Sequence, residues 1–168
     1  ITYKMKVLKR NGEESELEFD EITRKIKTLS NMDPVLNIDA SKLAIEVIGL
    51  IYDGITTSEL DVFTASISAS MSLYNSDYEE LASRLIVNNH HKNTSESFSD
   101  TMVSIANLLS DDLIYICQNK FSIINSIIDY SRDYNMSFFG FNTLYKSYLL
   151  KKGDRVVERP QHLFMRVA

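Results

Sequence analysis

The stretch Met5-Lys6-Val7-Leu8-Lys9-Arg10-Asn11-Gly12-Glu13-Glu14-Ser15-Glu16-Leu17-Glu18-Phe19 decides what kind of fold follows. It forms most of a hairpin signal over residues 3–19. Met5 and Val7 on one arm, and Leu17 and Phe19 on the other, alternate with polar residues about Asn11-Gly12, a dipeptide that tolerates positive φ. A two-residue loop would set Val7 opposite Glu16 and mix unlike residues on one face. A three-residue loop of Asn11 to Glu13 sets Met5 opposite Phe19 and Val7 opposite Leu17, which is the register expected here. It also brings Lys6 to Glu18 and Arg10 to Glu14 as cross-strand ion pairs and leaves Lys9 beside Ser15 on the apolar face.

Outward from the hairpin the periodicity turns helical. Asp20 is placed to cap a helix with Ile22, Ile26 and Leu29 inward and Arg24, Lys25 and Lys27 outward. Asp39 starts a second, through Leu43, Val47 and Leu50/Ile51 to Asp53-Gly54. Thr56-Thr57-Ser58-Glu59 is a capping box for a third, on which Thr57 and Asp61 share a face. Ser76-Asp77-Tyr78-Glu79 is another, opening a fourth helix with Leu81, Leu85, Asn88/Asn89 and Lys92 along one side.

Residues 1–93 therefore read as one domain, a hairpin plus four helices, with a soft boundary in the Ser/Thr-rich run Asn93 to Asp100. Residues 94–168 read as a second, helical part. Met102, Ile105, Leu108 and Leu109 have helical spacing. Shorter segments follow around Leu113–Cys117, Phe121–Ile128 and Phe138–Leu149, then a turn at Lys152-Gly153-Asp154 and a helical run after Pro160. The fold class is α+β, predominantly helical. A chain starting at Ile1 without Met and stopping at Ala168 after a helical run also reads as a piece of a longer protein.

Bulk properties narrow the function classes. At 168 residues, with 44% hydrophobic and 24% charged, the chain can bury a real core. A formal charge of −5 and the lack of a Lys/Arg run weigh against a nucleic-acid platform. The single Cys117 excludes an internal disulfide framework and a Cys-rich zinc site, and it suits a reducing, cytoplasmic home. No apolar run is long enough to span a bilayer, so no membrane partner is expected.

No nucleophile, metal or catalytic-cofactor motif stands out. His90 and His91, adjacent on a helix, point to different faces, so a shared metal is not expected and a solvated or capping role is. Cys117 reads as a small core residue. What does suggest a site is convergence: Lys9 and Arg10 at the hairpin tip, a capped helix start at Thr57, and Lys92 on a later helix suit a polyphosphate. The blander reading of the same residues is a solvated tip, a cap and a solvent-facing Asp61.

Several ordered landmarks carry a resemblance. Val7-Leu8-Lys9-Arg10-Asn11-Gly12, Phe19-Asp20-Glu21-Ile22, Gly54-Ile55-Thr56-Thr57-Ser58-Glu59-Leu60-Asp61, Asp77-Tyr78 and Leu81-Ala82-Ser83-Arg84 resemble an ATP-cone, a four-helix bundle capped by a small β-sheet. ATP-cones also occur in other reductase classes and in a bacterial transcriptional repressor. Tyr130-Ser131-Arg132-Asp133-Tyr134, Phe139-Gly140-Phe141-Asn142-Thr143-Leu144, Ser147-Tyr148-Leu149-Leu150 and Glu158-Arg159-Pro160-Gln161-His162-Leu163-Phe164-Met165-Arg166-Val167 resemble the segment leading into the catalytic barrel of class I ribonucleotide reductase large subunits.

That resemblance implies an oxidoreductase subunit reducing ribonucleoside diphosphates. Its partners would be a radical-generating small subunit and further copies of the large subunit. The catalytic cysteines would lie past Ala168, so this stretch would not catalyse alone. It further implies ATP and dATP as allosteric effectors, with Mg²⁺ as companion, at Lys9, Arg10, Ser15, Glu16, Leu17, Glu18, Phe19, Asp20, Glu21, Thr57, Asp61 and Lys92. Lys9, Arg10 and Lys92 would hold phosphates, Thr57 would sit at the helix start, and Asp61 would tell ATP from dATP. The family usually has an acid where Ser15 stands and a lysine where Glu21 stands. Glu16 could replace that acid through a one-residue shift, whereas Glu21 sets a like charge near phosphate. The alternatives are a nucleotide-sensing regulator or a helical interaction module built on the same domain. A regulator that reads DNA would need a zinc ribbon or basic reading element, which the sequence lacks.

Overall fold

The computed structural model describes residues 5–168, so the part of the expected hairpin at residues 3 and 4 lies outside the described residues. The chain divides into two compact units, Ile1–Asn89 and His90–Ala168.

In the first unit, β1 (Lys6–Leu8) is the centre of a three-stranded sheet. It pairs antiparallel with β2 (Glu14–Glu16) and parallel with β3 (Ile55–Thr56). The hairpin register differs from the expected one: Val7 faces Ser15 rather than Leu17, and the Leu17 N–H donates to the Met5 carbonyl at 2.8 Å. The loop still has three residues, but they are Arg10 to Gly12, closed by the Lys9 N–H on the Glu13 carbonyl at 2.8 Å. The reason lies in the third loop position, which must be left-handed. Gly12 takes it at φ 86°, whereas the expected register would have put Glu13 there, against its Cβ. The expected pairs Lys6–Glu18 and Arg10–Glu14 are replaced by Lys6–Glu14 at 3.3 Å, and Arg10 turns elsewhere. Lys9 is exposed rather than on the apolar face.

Four helices accompany this sheet. α1 (Phe19–Ser30) buries Ile22, Ile26 and Leu29 as its spacing dictates. Asp20 is not its cap: Glu18 holds that position without a side-chain bond, and Asp20 adds its charge to the first turn. α2 (Ala40–Leu50) is capped by Asp39, whose side chain accepts from the Lys42 N–H at 3.0 Å. It stops before Asp53-Gly54 because that pair is drawn to β1. The Lys6 N–H donates to Asp53 Oδ1 at 2.7 Å, and the Gly54 N–H to the Lys6 carbonyl at 2.9 Å. β3, only two residues long, is too short for alternation to reveal.

α3 (Thr57–Met71) begins with the full capping box between Thr56 and Glu59. α4 (Asp77–Asn93) carries the chain onward. Arg84, 1% exposed, donates to the carbonyls of Leu29, Met32 and Pro34, which satisfies acceptors at the end of α1.

The second unit holds α5 (Phe98–Ser104), α6 (Asp111–Ile127), a 3₁₀ segment Tyr130–Asn135, α7 (Phe138–Ser147), the hairpin β4 (Lys151–Lys152) and β5 (Arg155–Val156), and α8 (Pro160–Val167). Where two short segments were expected, α6 runs unbroken. Cys117, Phe121 and Ile124 follow at helical spacing against Phe98, Met102 and Ile105, so one apolar stripe serves the whole helix. Among the described residues, no helix is long and apolar enough to cross a membrane.

Candidate functional site

Asp61 is the hub of the first unit's polar cluster. It sits in the second turn of α3, only 5% exposed, where the Thr56–Glu59 box fixes the helix start. Burying a carboxylate requires cationic partners, and two arrive from distant elements. Arg10, from the β1–β2 loop, donates through Nη2 to Asp61 Oδ2 at 3.2 Å, and Lys25, from α1, donates through Nζ to Asp61 Oδ1. Arg10 also reaches Thr57 Oγ1 at 3.4 Å and Asn89 Oδ1 at 2.6 Å. Ser58 donates to the same Asn89 oxygen at 3.1 Å. Two cations thus meet on one carboxylate. The side chains of Arg10 and Lys25 are 32% and 26% exposed, so solvent reaches them. Such a half-open cluster, with two cations reached by solvent at a helix start, is suited to an anion.

Of the residues singled out from the sequence, the fold brings Arg10, Thr57 and Asp61 together. Lys9 is exposed in the neighbouring backbone position. Ser15 pairs with Val7, and Glu16 pairs with Lys6. Because strand side chains alternate, Glu16 lies on the face opposite Ser15. Leu17 is half-buried, Glu18 precedes α1, and Phe19, Asp20 and Glu21 form its exposed first turn. Lys92 is exposed in the last turn of α4, in the second unit. Sequence reasoning missed Lys25, Ser58 and Asn89. Lys25 read as an outward helix residue, and nothing local places it against Asp61, 36 residues away.

The second unit has its own polar cluster, and it is closed. His90 is buried, with Nε2 on the Glu158 carbonyl at 2.8 Å, rather than solvated as expected. His91 Nε2 meets Asp133 Oδ2 at 2.7 Å, and Gln161 donates to Asp133 Oδ1 at 3.2 Å. His162 accepts the Arg159 N–H at Nδ1 and meets the Tyr130 hydroxyl through Nε2 at 2.8 Å. Arg159 donates to the carbonyls of His91 and Thr94 and lies over the Tyr130 ring. Glu158, fully buried, accepts the Leu150 N–H at 2.8 Å and bonds from Nε and Nη2 of Arg166. Burial holds His90 down to about 4 and His162 to about 3, and raises Tyr130 to about 12. These groups saturate one another. Among the described residues, no three His, Cys, Asp or Glu side chains are grouped to hold a metal ion. Cys117 is buried with its thiol pushed up by burial, which makes it unreactive.

A hairpin sheet with four helices defines a small α+β domain, with its charged cluster at a helix start. Residues 5–93 match the ATP cone domain family, and residues 134–168 match the ribonucleotide reductase all-alpha domain. The ribonucleoside-diphosphate reductase large subunit of variola virus is 41% identical over 98% of this chain. Those of Dictyostelium discoideum and Arabidopsis thaliana are each 40% identical over 98% of it. The chain spans only 23% of the first relative's length and 21% of the other two. The chain belongs to the ATP-cone family, and it matches the N-terminal region of ribonucleoside-diphosphate reductase large subunits.

Proposed function

We propose that the first unit binds adenine nucleotides at the Arg10–Asp61 cluster and sets the overall activity of a ribonucleoside-diphosphate reductase. The observation that carries this reading is the buried Asp61 shared by two half-exposed cations at the start of α3. In this reading Lys9 and Arg10 take the phosphates. Thr57 flanks them, and the second arm from Ser15 to Glu21 borders the base. Asp61 then reads the ribose, whose 2′-hydroxyl distinguishes ATP from dATP. The resemblance adds Lys92 as a further phosphate cation. Mg²⁺ would arrive on the phosphates, held by them and by water, as is usual for this ion.

The reductase reading extends to the longer protein. It would reduce ribonucleoside diphosphates with a radical from a small subunit, assemble with further copies of itself, and work in the cytoplasm. Matches in both units, together covering most of the chain, favour it over a free-standing regulator.

Calorimetry of the folded chain with ATP and dATP tests the site. Lys9→Ala is expected to weaken both nucleotides about equally. Asp61→Asn should leave ATP binding largely intact and bring the two affinities together. No heat at millimolar nucleotide would overturn the sensing function, and unchanged discrimination in Asp61→Asn would overturn the role of that carboxylate.

A further inference from the structure

The nucleotide reading leaves one cation of the cluster without a task. Lys25 lies one helical turn after Glu21 on α1, and its Nζ holds the Oδ1 oxygen of Asp61 while Arg10 holds Oδ2. Both carboxylate oxygens are thereby engaged before any ligand arrives. A carboxylate so held is a weaker acceptor for a sugar hydroxyl, because a cation draws on the charge of each oxygen and takes one of its acceptor sites.

We infer that Lys25 is a specificity-determining residue that acts through Asp61, a latch that incoming phosphate opens. The inference rests on the nucleotide reading above. A polyphosphate beside Arg10 and Lys25 competes for the same two cations. With several negative oxygens it draws Arg10 from Asp61 Oδ2, while Lys25 keeps hold of Oδ1. Released on one side, Asp61 has an oxygen free for a ribose hydroxyl. Recognition of charge thus comes before reading of the sugar, and Lys25 links the two. Lys25 also supplies, one turn later, a cation at the site where the neighbouring Glu21 adds a negative charge.

Removing Lys25 has a double consequence. Arg10 then carries the ion pair with Asp61 without Lys25, so it is less available to phosphate, and the cluster loses one of its cations. Asp61 also loses the partner that orients it.

The test is calorimetry of the full chain with ATP and with dATP, on wild type, Lys25→Met, Lys25→Gln and Lys25→Arg, each checked for folding by circular dichroism. Lys25→Met and Lys25→Gln are expected to weaken both nucleotides about tenfold and to bring their affinity ratio towards one. Lys25→Arg should restore both the affinity and the ratio. Added to Asp61→Asn, Lys25→Met should produce no further change in the ratio. A wild-type ratio in Lys25→Met and Lys25→Gln, whether or not affinity falls, would overturn the latch and leave Lys25 as charge alone. Failure of the wild type itself to bind ATP would instead overturn the nucleotide reading beneath it.

Discussion

Each unit gathers buried charge, and the two do so in opposite ways. Around Asp61 the cations are partly open to solvent and outnumber the carboxylate, and the groups come from a loop and three helices. Around Glu158, Asp133 and His162, every charge has a partner within the unit, and both carboxylates are fully buried. A buried charge that is saturated serves the scaffold. One whose partners are themselves reached by solvent can exchange them for a ligand. The contrast separates a region proposed to bind a ligand from a region that holds its own shape.

The contrast makes a large prediction for the second unit. Glu158→Ala leaves Arg166 and the Leu150 N–H without their acceptor, so it should lower stability by roughly 3–5 kcal/mol in urea unfolding. A loss under about 1 kcal/mol would break the contrast, since Glu158 would then not be holding its surroundings together.

A medium effect is expected from pH. His90 and His162 fold with values of about 4 and about 3, below their ordinary 6.5, so the folded state favours the neutral rings. Between those values the unfolded chain binds more protons. Their contribution is therefore full above pH 6.5 and is lost as pH falls towards 4 and 3. The denaturation midpoint of the second unit should fall between neutral and mildly acid pH, and His162→Gln should flatten that slope. An unchanged slope in the variant would remove His162 from the network's titration.

The smallest effect sharpens the first unit. Thr56→Ala deletes the acceptor for the Glu59 N–H and should cost about 1 kcal/mol of stability. It should also weaken nucleotide binding slightly by loosening the turn that carries Thr57 and Asp61. Thermal melts and calorimetry on the same sample would separate the two consequences.

Much of this was legible in the sequence wherever the cause is local. Asp39 and Thr56 cap α2 and α3, Pro160 opens α8, and Gly153 turns the last hairpin, because each acts on backbone within a few residues. The expected hairpin register failed for an equally local reason: the side-chain pattern was weighed and the left-handed requirement met by Gly12 was not. The expected Asp20 cap failed because Glu18 already occupied the extended position before the helix.

The sequence by itself determined where the helices start, which stripes are apolar, and that Arg10, Thr57 and Asp61 are candidates for one site. Only the tertiary structure decided that Lys25 and Asn89 join them, and that three histidines lie in a closed network rather than in water. The physical reason is separation. Capping and periodicity act over a turn or two of chain, whereas Arg10 meets Asn89 across 79 residues and His90 meets Glu158 across 68. Such meetings are set by how whole elements pack, which is also what decides whether a buried charge is closed off or left open to a ligand.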